Sequence, residues 1–141
     1  MYYNFLQKPS VPPHLILSLS EVLQLENIFG GESKDYTIHE CQDELAEYLK
    51  IIFPEYTKFR YQTLKKGVPI HVDFGRTQAV NYIIDQGGPN VKTIWYKSTP
   101  IHDKIPVFDI VLPAKVWHEL KVDVLHTVMN IETTRYAITV Y

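Results

Sequence analysis

An imidazole and a carboxylate stand two residues apart in the run Pro69-Ile70-His71-Val72-Asp73. On an extended strand, side chains two apart project to one face. His71 and Asp73 therefore point together, with Ile70 and Val72 packing on the other side. They supply two-thirds of a 2-His-1-carboxylate facial triad, the donor set that holds non-haem Fe(II) and leaves coordination positions open. A third donor lies far downstream in His126-Thr127-Val128, and Arg135 opens the run Arg135-Tyr136-Ala137-Ile138-Thr139-Val140-Tyr141. Adjacent antiparallel strands would set His126 and Arg135 on one wall. A guanidinium held there presents a planar fork that bonds a carboxylate bidentately. One pocket would then hold a metal and, deeper, a carboxylate receptor, and an oxo-diacid bridges those two features.

The remaining candidates have simpler readings. His118 and His102-Asp103 have no partner spacing that suits a metal site. His14 and His39 read as surface or helix-flanking residues. Trp95-Tyr96 read as packing residues. Arg76 and Lys97 read as solvated charges, and Asp73 could itself cap the Phe74-Gly75-Arg76 turn.

The elements that must position these residues change character along the chain. Pro9 to Pro13 read as an extended arm. Ser18-Leu19-Ser20-Glu21 is a capping-box pattern, and Val22, Leu25 and Phe29 carry helical spacing up to Gly30-Gly31. A second helix has Glu40, Asp43 and Glu44 crowding its first turn. Its apolar stripe is Leu45, Tyr48, Leu49 and Ile52, and Pro54 stops it. Beyond Pro54 come short β runs: Thr57–Leu64, Val68–Asp73, Gln78–Ile84, Val91–Lys97, Pro106–Leu112, Lys121–Val128 and Arg135–Tyr141. Lys65-Lys66-Gly67 and Gly87-Gly88-Pro89 read as turns. No helical crossovers separate these strands, so a βαβ sheet is excluded and a sandwich or barrel is expected. The expected division is one domain over 1–141, with a helical cover and arm at 1–56 and a β core at 57–141.

Composition agrees with that picture. The chain has 141 residues, 45% of them hydrophobic and 21% charged, which suits one folded core rather than disorder or a fibrous class. Fourteen basic and sixteen acidic side chains give a net charge of -2, so no overall basic field exists to hold a phosphate backbone and nucleic-acid binding is not expected. Ten tyrosines contribute to a 13% aromatic fraction, which leans toward β structure. The single cysteine, Cys41, cannot form an internal disulfide, which points to a reducing compartment. No apolar run suits a signal peptide or a membrane span, so the expectation is a soluble, cytoplasmic protein.

Over about residues 57–141 the sequence resembles the Fe(II)/2-oxoglutarate-dependent oxygenases. His71, Asp73 and His126 match that family's HxD…H metal triad, in the family's order. Arg135 matches the Arg that binds the distal carboxylate of 2-oxoglutarate. The tail from Arg135 is especially similar to the hypoxia-type prolyl hydroxylases. The segment His71 to Asn81 is similar to small hydroxylase-like proteins of phage and marine-microbial sequences. The resemblance implies a mostly β, double-stranded β-helix (jelly-roll) fold, with one or two N-terminal helices packed outside. It also implies metal ligation by His71, Asp73 and His126, and cosubstrate contacts from Arg135, Tyr61 and Thr139. Asn81 is the nearest inward polar group to the position, here Ile83, where the prolyl hydroxylases carry a carboxylate-binding Tyr, and its amide can donate in that role. The implied function is a dioxygenase that hydroxylates a small-molecule or peptide substrate and produces succinate and CO₂. It would use Fe(II), 2-oxoglutarate and O₂, with ascorbate as reductant. The alternative is a non-catalytic jelly-roll module that binds a metal or small acid.

Overall fold

A computed structural model describes residues 1–29, 35–101 and 103–141. His102 and the Gly30-Gly31 stop lie outside the described residues. Over the described residues the protein is mostly β, with two antiparallel sheets and two short α-helices. Strands are β1 (Tyr3–Phe5), β2 (Tyr36–Glu40), β3 (Phe59–Leu64), β4 (Gln78–Asp85), β5 (Lys92–Ser98), β6 (Lys104–Ile110), β7 (Trp117–Lys121), β8 (His126–Met129) and β9 (Arg135–Val140). The larger sheet runs β1-β7-β4-β9-β3-β2 and the smaller β6-β5-β8. Among the described residues no helix is long and apolar enough to cross a membrane.

Strict alternation along the larger sheet divides its side chains between two cores. On β4, Val80 and Tyr82 join Phe59 and Tyr61 of β3, Trp117 of β7, and Ile138 and Val140 of β9 in one cluster. The first helix α1 (Leu19–Gln24) and the second α2 (Asp43–Ile52) cover that face. They contribute the fully buried Val22, Leu45 and Leu49. Leu45 and Leu49, four apart, meet on one side of α2, and Phe53 continues the stripe into the core. The other strand residues, Ala79, Ile83, Leu120 and Ala137, face the smaller sheet and pack with Trp95, Leu112 and Val122. The Pro-containing arm is tied down by the Trp117 indole, which donates to Pro9 O at 3.0 Å.

Several expectations are corrected. The Ser18–Glu21 capping box is present, but α1 ends at Gln24, because Leu25 turns extended and its N–H closes a bond to Val22 O. Glu40 ends β2 instead of opening α2. His39 is neither surface nor helix-flanking. It is 1% exposed on β2, with Nδ1 donating to Glu26 O and Nε2 accepting from the Thr37 hydroxyl. Val68–Asp73 is not a regular strand; a single bridge joins His71 to His126. Lys121–Val128 is not one strand either: the chain leaves the larger sheet after Lys121 and joins the smaller one at His126, so its alternation spans two sheets.

Candidate metal centre and anion pocket

His71, Asp73 and His126 converge. Asp73 Oδ1 lies 3.3 Å from His71 Nε2 and 3.4 Å from His126 Nε2. The two imidazole centres are 4.4 Å apart, and one ligand atom from each of the three residues lies within 4.8 Å of the others. The convergence is built by backbone. His71 and His126 exchange both main-chain hydrogen bonds, at 3.0 and 2.9 Å, so their side chains leave from the same face. The Asp73 N–H donates to Val122 O at 2.8 Å and sets the carboxylate beside them.

Second contacts fix what each group offers. His71 Nδ1 lies 2.7 Å from Pro69 O, and His126 Nδ1 lies 2.7 Å from Val124 O. A carbonyl only accepts, so Nδ1 of each ring carries the proton and Nε2 of the neutral ring offers its lone pair inward. Asp73 Oδ2 is held away from the histidines by Arg76, whose Nε and Nη2 donate at 3.1 and 2.8 Å. Burial pushes the Asp73 carboxyl up. The close approach of His126 and the hydrogen bonds and charge of Arg76 outweigh it and hold the group down at about 2. The donor set thus comprises two imidazole lone pairs and one ionised oxygen. Ligands roughly 2.0–2.2 Å from one ion lie about 3 Å apart when at right angles. The 3.3 and 3.4 Å spacings suit such a divalent ion, and a cation offsets the repulsion among three inward lone pairs.

These residues stand in the wall of a cavity of about 570 Å³ between the sheets. Arg135, Asn81, Thr93 and Gln62 also line it, with apolar walls from Leu64, Ile83, Val128 and Ala137. Arg135 is placed by a turn that requires glycine. Gly87 has φ +83°, and a Cβ there would meet Thr133 O at 2.6 Å and Arg135 N at 3.1 Å. Burial pushes the Arg135 guanidinium down to about 10, so it stays charged at neutral pH. Among the described residues no carboxylate comes within ion-pair distance of it. Among the described residues three buried polar atoms also lack hydrogen-bond partners: Asn81 Oδ1, Thr93 Oγ1 and His118 Nε2. Natural interiors rarely leave such groups unpaired, and here they gather on one side of the larger sheet and the strand opposite. The cavity therefore offers a divalent-metal donor set and, among the described residues, a cation without an ion-pair partner for an anionic ligand.

Of the residues singled out from the sequence, His71, Asp73, His126, Arg135 and Asn81 share this cavity. Tyr61 does not. It is fully buried on the helix-covered face, where its hydroxyl accepts from Leu17 N at 3.1 Å and donates to Gln42 Oε1 at 3.0 Å. Thr139 does not line the cavity either; its hydroxyl donates to Val80 O at 3.4 Å. Val72 lines the cavity instead of packing behind the ligands. Two residues were undervalued. Arg76 is not a solvated charge but the partner of Asp73. His118 is 0% exposed and directly opposite Asn81 across β4 and β7. Burial and then the Arg135 charge push its pKa down to about 4, against the lift from its bond to Val116 O. The D-x-G-R turn was the available signal for Arg76, and the alternation His118-Glu119-Leu120 for His118. Compared with known proteins, the chain matches no family model and no curated protein.

Proposed function

We propose that this protein is a small Fe(II)- and 2-oxoglutarate-dependent dioxygenase on a double-stranded β-helix, hydroxylating a small molecule or peptide. The observation that carries the reading is a single cavity that combines the His71–Asp73–His126 donor set with Arg135, a partly buried cation that has no counter-ion among the described residues. The order in which the chain visits the sheets supports the fold. From β3 onward it crosses from the larger sheet to the His71 bridge on the smaller. It then returns in β4, leaves for β5 and β6, returns in β7, leaves for β8 and ends in β9.

Bound Fe(II), with 2-oxoglutarate and O₂, supplies the oxidation that yields succinate, CO₂ and a hydroxylated substrate. The chain's own residues do the rest. His71, Asp73 and His126 would hold the ion through one ligand atom each. Arg135 receives the distal carboxylate of 2-oxoglutarate through a charge-assisted fork. Asn81 lines the same cavity, and its amide can donate to the bound acid. Ile83, Leu64, Val128 and Ala137 give the cavity apolar walls, and a low-dielectric lining strengthens a charge pair formed there. Phe74, directly after Asp73, lines the cavity while 95% exposed, which puts it at the rim.

The test is succinate formation from 2-oxoglutarate with added Fe(II) and ascorbate, alongside binding of both ligands. Turnover that is lost in Asp73→Ala supports the dioxygenase. Tight binding of Fe(II) and 2-oxoglutarate without succinate, across a broad substrate panel, would replace it with a metal- and acid-binding module.

A further inference from the structure

We infer that Arg76 is a positioning residue: it locks Asp73 into presenting one oxygen, and only one, to the metal site. The inference rests on the metal reading above. A carboxylate has two equivalent oxygens, and a free one can turn to offer both. Here they are made unequal. Oδ2 accepts Arg76 Nε at 3.1 Å and Nη2 at 2.8 Å, while Oδ1 alone faces the two histidines. The fork folds back because Gly75, at φ +79°, makes the tight turn between Asp73 and Arg76.

The guanidinium is itself braced from the larger sheet. It sits over the Tyr141 ring at 5.4 Å. Arg60 lies 5.4 Å from the same ring and donates to the Tyr141 hydroxyl, while Arg60 Nε donates to Glu40 at 3.0 Å. Tyr141 and Lys58 exchange main-chain bonds at 3.0 and 2.7 Å, which anchors the ring beside β3. A line of contacts therefore runs from Glu40 on β2 to the carboxylate ligand. Its consequence is a coordination position kept open that a second Asp73 oxygen would otherwise fill.

Charge and positioning predict opposite signs, which makes the test sharp. Charge alone says that removing a guanidinium beside a cation site tightens metal binding. Positioning says that it weakens, since loss of a partner that orients a metal ligand typically costs about 10–100-fold in affinity. The experiment is Mn(II) titration of the full chain by electron paramagnetic resonance, with Co(II) absorption as a report on coordination. Arg76→Ala is expected to bind Mn(II) roughly 10–100-fold more weakly and to change the Co(II) spectrum. Arg76→Lys, a single donor without the planar fork, is expected to fall between it and the parent. Should Arg76→Ala not fold, Arg76→Lys decides. Tyr141→Leu is expected to lose about two- to fivefold through the weakened brace. Mn(II) affinity equal to or tighter than the parent in Arg76→Ala, or in Arg76→Lys when it alone folds, overturns the inference. A parent that binds no Mn(II) overturns the metal reading, and this inference with it.

Discussion

The two faces of the larger sheet are made from alternate residues of the same strands, yet they treat polar groups in opposite ways. On the helix-covered face the buried Tyr61 hydroxyl has both a donor and an acceptor partner, His39 is bonded through both ring nitrogens, and Thr37 and Thr63 bond each other. On the cavity face Arg135 has no anion partner among the described residues, and Asn81 and His118, which face each other across β4 and β7, each keep a buried acceptor unpaired. A face that only holds the fold together satisfies itself. A face that leaves polar groups unsatisfied is arranged for something it does not contain.

The largest effects should separate the two faces cleanly. Asp73→Ala removes the ionised member of the donor set, so Mn(II) or Fe(II) binding is expected to vanish in equilibrium dialysis while the chain stays folded. Arg135→Leu is expected to retain the metal but to weaken 2-oxoglutarate by on the order of 100-fold or more, the cost of losing one partner of a desolvated charge pair, measured calorimetrically. Leu49→Ala, on the other face, should cost about 2–5 kcal/mol of stability in denaturant titration and leave ligand affinity intact in the folded fraction.

A pH series sharpens the comparison. His118 is buried neutral, with its pKa lowered to about 4 from an ordinary 6.5. Between those values the unfolded chain takes up a proton that the folded chain refuses. Stability from this group is therefore full above about 6.5 and falls with pH through that window, by on the order of 3 kcal/mol. His118→Gln should flatten that stretch of the stability–pH curve. The Asp73 carboxyl, held down at about 2, works in a more acid window: its contribution is present above about 4 and is lost as pH falls toward 2. The smallest effect belongs to Tyr61→Phe. It should cost about 1–2 kcal/mol by leaving Leu17 N–H and Gln42 without their partner, with 2-oxoglutarate affinity unchanged. A large loss of that affinity would break the division between the faces.

The histidine–aspartate pair was legible because a two-residue spacing needs only one extended step to align its side chains. His126 and Arg135 followed from their place on late strands. Tyr61 shows where counting fails. Ten residues before His71 crosses the Lys65-Lys66-Gly67 turn, so phase is not carried through. Tyr61 instead pairs in register with Ile138, on the face opposite Arg135, and a one-residue offset moves a strand side chain to the other face. The break between β7 and β8 was hidden because Val122 and Val124 continue the apolar alternation while the chain changes sheets. β1 and β2 were missed because strands of three and five residues carry too few alternations to stand out. Arg76 looks like any loop cation until its partner is placed.

The most direct test of the central claim is Mn(II) titration with and without 2-oxoglutarate, in the parent and in Arg135→Leu. One cavity holding both ligands predicts one Mn(II) per chain, tightened by 2-oxoglutarate in the parent and much less so in the variant. Mn(II) binding that survives Asp73→Ala, or that ignores 2-oxoglutarate in the parent, would contradict it.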